Sequence, residues 1–148
     1  MHPAAEKFFA MSKEQQRAVH LRLCEQALGV WQRHYSPGTR PTYQETVTGT
    51  VQELDVDLPS EALACSRAGK DQAQVQSRYS EPIVALQDDD LVLPEQALYA
   101  YYAIYNLFRA HVIGVPLDPW LIVNQALSSL GPEAEAALER AVIKTSPE

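Results

Sequence analysis

His20 and Cys24 stand four residues apart, a spacing that lets an imidazole and a thiolate on one helix face meet the same metal ion. A closed zinc site needs two further ligands, and His34, His111 and Cys65 sit at no recognised spacing to supply them. A buried thiol beside an exposed imidazole is the better reading of the pair. Asp88, Asp89 and Asp90 raise the same question for a divalent ion. A calcium loop alternates its oxygen ligands around a central glycine and ends on glutamate, and "QDDDL" does neither. Three successive carboxylates cannot all point one way, so the run reads as a solvated loop that caps the next helix, or as an acidic knob for a partner's basic cleft.

Other chemistries find less. There is no glycine-flanked serine elbow, no cysteine in a local nucleophile signature and no phosphate-binding glycine pattern. The Glu-x-x-His repeat of di-iron bundles is missing as well. The expectation is a protein that is no enzyme, with no catalytic residue, no metal and no cofactor.

Tyr99, Tyr102, Asn106 and Arg109 follow at spacings of 3, 4 and 3 within "ALYAYYAIYNLFRAHVIG", residues 97–114, and so share one face of a helix that is otherwise apolar. Their polar tips can be satisfied by neighbouring helices, with Arg109 paired to an acid such as Asp118. Alternatively they can contact a partner, since Tyr and Arg dominate interface hot spots. The first reading is favoured, because the helix is too apolar to stand fully at a surface.

The elements that must position these residues are helices. Ser12 and Gln15 form a capping-box pattern ahead of "KEQQRAVHLRLCEQALGVWQRHY", whose Leu21, Cys24, Leu28, Trp31 and Tyr35 keep one apolar seam until "SPG" stops it. Thr42 and Glu45 repeat the pattern before Val47, Val51, Leu54 and Leu58, which favours a helix over 43–55. Four threonines and Gly49 weaken that helix, and Leu54–Val56–Leu58 alternates as a strand would, so 43–58 stays open between helix and partial strand. "PSEALACSRAG" is a short helix. A polar helix then runs from Asp71 through Val75, Tyr79, Ile83 and Leu86, kinked or split at Pro82, with Ser80 capping a second piece. Pro94 opens the tyrosine-rich helix, about 95–113. Its seam is Leu98, Tyr101, Tyr105, Phe108 and Val112, and its apolar character nearly all round marks the central element of a bundle. "DPWLIVNQALSSLG" carries its cap, first-turn proline and terminal glycine in order, and a last helix covers 132–144. Residues 1–11 and 145–148 are expected to be loose. The fold expected is a single all-α domain over 1–148, a bundle of six or seven helices.

No run approaches a membrane span, and "MHPAAEKFFAMSKEQQ" lacks the apolar stretch of a secretory signal. With two cysteines at no disulfide spacing, this points to the cytoplasm. The net charge of −7 is uneven: residues 41–95 hold three bases against eleven acids, whereas residues 1–40 hold six bases against three. An acidic body argues against nucleic acid and suits a basic protein partner. The seams would serve a monomer's core or a homo-oligomer equally well.

Residues 93–130, "LPEQALYAYYAIYNLFRAHVIGVPLDPWLIVNQALSSL", pair the tyrosine-rich helix with a D-x-W-L-I-V-N-Q-A-L helix. This stretch resembles small bacterial immunity proteins encoded beside polymorphic or type VI secretion toxins. The resemblance implies a non-enzymatic protein that binds one cognate toxin in the cytoplasm by covering its active site. Many such proteins are acidic because many toxin clefts are basic, and no catalytic residue carries over. Since residues 1–40 are net basic, the acidic contact would fall to 41–95. The candidates are Glu53, Asp55, Asp57, Asp88, Asp89 and Asp90, with Tyr99, Tyr102 and Arg109 as desolvated anchors. The rival expectations are a helical adaptor that binds without inhibiting, and a small-ligand pocket or enzyme site lined by the central tyrosines.

Overall fold

The computed structural model describes residues 2–145. In chain order these form α1 (Pro3–Ala10), α2 (Lys13–His34), β1 (Thr42–Gln44), β2 (Val51–Glu53), α3 (Leu58–Ala68), α4 (Val75–Gln87), α5 (Glu95–Phe108), α6 (Pro119–Leu130) and α7 (Ala134–Thr145). A π-turn, Arg109–Ile113, extends α5, and a 3-10 turn, Gly131–Glu133, joins α6 to α7. The expected all-α bundle is what forms, and α5 is its central helix, packed against α2, α3 and α6. Within α5, Ala97, Ala100, Tyr101, Ala103, Ile104, Leu107 and Phe108 are buried. Small residues let the neighbouring helices approach closely while the large ones fill the space between them.

Local chemistry sets the helix ends. Ser12 Oγ accepts the Gln15 N–H at 3.2 Å while Gln15 Oε1 accepts the Ser12 N–H at 3.0 Å, which completes the capping box. Asp118 Oδ1 accepts the Trp120 N–H at 2.9 Å, with Pro119 at the first helical position. Gly69, at φ 76°, ends α3 in the left-handed conformation.

Four sequence expectations are corrected. Of the segment 1–11 expected to be loose, the described residues 2–11 are held: α1 buries Ala4, Ala5 and Phe8, and Phe8 packs against Trp120 with ring centroids 5.8 Å apart, while Met1 lies outside the described residues. The helix expected over 43–55 is a β-hairpin, with Thr42 opposite Glu53, Tyr43 opposite Gln52 and Gln44 opposite Val51. Its β-branched residues favour extended backbone and Gly49 takes φ 70°, so the second capping box never forms. The polar helix begins at Val75 rather than Asp71, whose carboxylate instead caps it by accepting the Val75 N–H at 2.8 Å and the Gln76 N–H at 3.2 Å. Beyond Pro82 the helix is neither split nor recapped. It runs on to Gln87 with the proline buried, and Ser80 Oγ donates to the Ser77 carbonyl at 2.8 Å. The described part of α7 reaches Thr145, and the rest of the tail expected at 145–148 lies outside the described residues.

One knot of aromatic rings ties these layers together. Trp31 on α2 lies 5.1 Å from the Tyr101 ring, which lies 5.0 Å from Tyr79 on α4. The Trp31 indole N–H donates to the Val56 carbonyl at 2.8 Å, anchoring the segment that leads from the hairpin into α3. The hydroxyls of Tyr79 and Tyr101 are buried and meet no hydrogen-bonding protein atom. Burial pushes both phenols well above their ordinary pKa, so they stay neutral.

Candidate protein-interaction surface

The acids proposed from sequence fall into two groups, both served by α4. In the first, the Arg78 guanidinium donates to the carboxylates of Asp55 and Glu61. Glu61 foremost, and Asp55 after it, hold that guanidinium above its ordinary pKa, while partial burial works against them. Arg78 Nη1 also donates to the Ala73 carbonyl at 3.1 Å, fixing the fork in place. Asp57 lies 3.6 Å from Arg40 and accepts the Gly38 N–H at 3.4 Å. Asp55 and Asp57 are therefore both engaged within the protein, although Arg78 divides its one charge between Asp55 and Glu61 and the cluster keeps a net negative charge. Glu53 is exposed and carries no ion pair among the described residues.

The second group lies at the end of α4. Asp90 Oδ1 accepts the backbone N–H of Thr46 at 3.1 Å, and also its hydroxyl. Asp90 is itself positioned by its N–H, which donates to the Ala85 carbonyl at 3.0 Å. On the other side of the hairpin, the Tyr43 hydroxyl donates to Glu81. Burial first, and the Glu81 carboxylate second, push the Tyr43 phenol upward. These ties bring hairpin and helix together around a groove of about 300 Å³ that includes Glu45, Val47, Glu81, Val84, Asp88 and Asp90. Its valines are turned outward, Val47 at 86% exposure and Val84 at 53%. Asp88 and Asp89 are exposed and free of ion pairs among the described residues, with Asp89 in the left-handed region at φ 60°. Carboxylates ringing exposed branched side chains make a surface that can take a basic, partly apolar contact.

The tyrosine-helix stripe is bonded elsewhere. Arg109 Nη1 donates to Asn106 Oδ1 at 3.0 Å, and Asn106 Nδ2 donates to Gln125 Oε1 at 2.7 Å on α6. Arg109 therefore does not pair with Asp118, which caps α6, and its guanidinium lies 5.4 Å from the centroid of the Tyr105 ring. Tyr99 and Tyr102 are half-buried. Among the described residues no hydrogen bond or ion pair joins this stripe to residues 53–57 or 88–90. Sequence reasoning missed Glu45, Glu81, Val47 and Val84 as members of the surface. The hairpin signal in "TVTGTV", had it outweighed the helical spacing, would have turned Val47 outward.

The potential metal pair resolves differently. His20 is buried, contrary to expectation, and both its nitrogens are engaged: Nδ1 with His111 Nε2 at 2.9 Å and Nε2 with the Pro119 carbonyl at 2.8 Å. The Cys24 thiol faces the Ala103 carbonyl at 3.8 Å, and burial pushes its pKa up. A different trio, His2, Glu135 and Glu139, brings three ligand atoms within 4.8 Å of one another. His2 Nδ1 accepts the Ala4 N–H, so the neutral ring carries its proton on Nε2, 2.8 Å from Glu135 and 3.1 Å from Glu139. Held in this way, the ring clamps α1 to α7 and offers no lone pair to an ion.

The fold and surface define an all-α domain whose acidic groups flank a small hairpin. Comparisons with protein-family profiles, curated proteins and solved structures produced no match to the chain. No described helix is long and apolar enough to cross a membrane.

Proposed function

We propose that this chain is an immunity protein, one that binds a cognate secreted toxin of a polymorphic or type VI secretion system in the cytoplasm and neutralises it by covering a basic active site. The observation that carries the reading is the Asp90–Thr46 tie, which makes acids from two distant segments part of one groove with outward-facing valines. Unpaired carboxylates there would steer a basic partner inward, and desolvated valines would slow its departure. The steering falls to Asp88 in the groove, to Asp89 next to it in sequence and to Glu53 outside it on β2, because Asp55 and Asp57 already serve Arg78 and Arg40. Tyr99 and Tyr102 remain candidate anchors through their half-exposed rings, whereas Arg109 is committed to Asn106. In this role the protein acts by binding alone, without a cofactor and without chemistry of its own.

The test has two stages. The protein is first used to capture its partner, which must be lethal when expressed alone and harmless when expressed with this chain. Association with that partner is then followed with Asp88 and Asp89 both changed to lysine. Neither carboxylate makes an ion pair among the described residues, and because Asp89 sits at φ 60° beside the Asp90 tie, a melting temperature close to that of the unaltered protein is the control for the variant. The expected result is association roughly tenfold slower with a weaker salt dependence. A partner that is not toxic removes the immunity reading. An unchanged association rate removes the acidic surface from it.

A further inference from the structure

A second concavity lies apart from the acidic surface, where the first turns of α2 meet the π-turn after α5 and the start of α6. It encloses about 520 Å³, within the range of small-molecule sites. Its polarity is layered. Lys13 and Arg17, four residues apart on one face of α2, stand at the rim with Glu14, leaving one net positive charge. Val115, Leu117 and Ile122 supply the apolar wall. Deeper in, His20 and His111 form a bonded pair whose orientation can be read from its partners. The Pro119 carbonyl can only accept, so His20 carries its proton on Nε2, and its bare Nδ1 accepts the Nε2 proton of His111. Burial lowers both rings to about 4, so the floor is uncharged at neutral pH.

Two features set this cleft apart from an incidental surface dip. Lys13 is the first residue of a 22-residue helix, where the backbone dipole is already positive and a base is locally unfavourable. Arg17 adds to that field. Its Nη2 is anchored on the Ser66 carbonyl at 2.6 Å, and its Nε and Nη1 make no hydrogen bond among the described residues. The other feature is the π-turn itself. Gly114 and Val115 both donate to the Arg109 carbonyl, at 2.9 and 3.0 Å, in a widened turn that carries His111 to the pair. Such departures from regular helix concentrate at functional sites.

We propose that this cleft binds a small amphipathic carboxylate, its monoanionic head between Lys13 and Arg17 and its apolar body along Val115, Leu117 and Ile122 above the His20–His111 pair. The single net charge at the rim matches a monoanion better than a phosphate dianion, and the neutral floor accepts a tail without burying an unpaired charge.

Octanoate, octanol and acetate separate the contributions of head and tail. Each is titrated into the isotopically labelled protein while the imidazole and methyl resonances are followed. The expected result is that octanoate binds roughly tenfold tighter than octanol or acetate, as head and tail both contribute. Its shifts should fall on His20, His111, Val115, Leu117 and Ile122. Lys13→Glu, which places an acid where the helix dipole favours one, should keep the fold and weaken octanoate by roughly threefold or more. Equal binding of octanoate and octanol, or of octanoate and acetate, would overturn the proposal. So would shifts confined to other residues, no shift below the micellar limit of octanoate, or an affinity indifferent to Lys13→Glu.

Discussion

Asp90 holds the tip of the β-hairpin to the end of α4, its carboxylate accepting the Thr46 backbone N–H at 3.1 Å across 44 residues of sequence. A hairpin with three residues in each strand is too short to persist without support, so its place on the bundle depends on ties of this kind.

Asp90→Ala should release the tip. The bond is solvent-exposed, so the loss of global stability should be modest, about 0.5–1 kcal/mol. The local effect should be larger: hydrogen exchange at the amides of residues 45–50 should accelerate well beyond that of the core helices. Asp90→Asn keeps an acceptor oxygen and should restore most of the protection. Unchanged exchange in the alanine variant would show that the hairpin is held elsewhere, with Tyr43 and Glu81 the next place to look.

The buried histidine pair should make the fold acid-sensitive. Burial lowers His20 and His111 to about 4 from an ordinary value of 6.5, helped for His111 by the Arg17 charge. Between those two values the unfolded chain takes up protons that the fold excludes. The contribution is thus complete above pH 6.5 and is lost as the pH falls towards 4. For the fully buried His20 the loss is on the order of 3 kcal/mol, with a smaller share from the more exposed His111. Urea midpoints measured from about pH 7 down to about pH 4.5 should fall steeply, and His20→Gln should flatten that slope. Parallel slopes in the two proteins would show that other groups carry the acid response.

Tyr79 and Tyr101 place hydroxyls in the core without a protein partner. Removing an unsatisfied hydroxyl while keeping the ring should leave stability unchanged or raise it by up to about 1 kcal/mol, so Tyr79→Phe and Tyr101→Phe should melt at or above the wild-type temperature. A loss of more than about 1 kcal/mol in either would show that the hydroxyl is hydrogen-bonded in solution.

Gly131 should not tolerate a side chain. It sits at φ 61°, and a Cβ there would lie 2.7 Å from the Gln96 amide nitrogen. Gly131→Ala should cost about 1–2 kcal/mol, mostly from the backbone. Adding Gln96→Ala should recover only the smaller, steric part. Full recovery in the double variant would show that crowding rather than conformation is the constraint.

The comparison between Ser12–Gln15 and Thr42–Glu45 shows how far local signals reach. Both pairs have the residue types and spacing of a capping box, yet the first opens a 22-residue helix and the second lies in a hairpin. The residues downstream of each pair decide between them. After Ser12 come long, straight side chains that favour helix, whereas after Thr42 come threonines, valines and a glycine that favour extended backbone. The long helices were legible because their apolar seams repeat over many turns. α1 was missed because eight residues with one buried phenylalanine carry little periodicity of their own, and its stability comes from packing on α7. The candidate surface was legible as acids but not as geometry. Which carboxylates are spent on Arg78 and Arg40, and which face outward, depends on pairings between distant segments. His20 and His111, 91 residues apart, share no local pattern that could have announced their bond.

The setting of Trp31 also makes the protein its own optical probe. The indole is fully buried, with the Tyr35 ring 4.6 Å and the Tyr101 ring 5.1 Å away. Excited tyrosines so near an indole hand their energy to it, so the folded chain emits chiefly as tryptophan despite its seven tyrosines. Because the same indole N–H rests on the Val56 carbonyl, its emission colour reports on the join between hairpin and bundle. The chain's other tryptophan, the half-buried Trp120, emits as well, so with Trp120→Phe as background, loosening of that join and dissolution of the aromatic knot would register as two separate spectral events, the first a red shift and the second the return of tyrosine light.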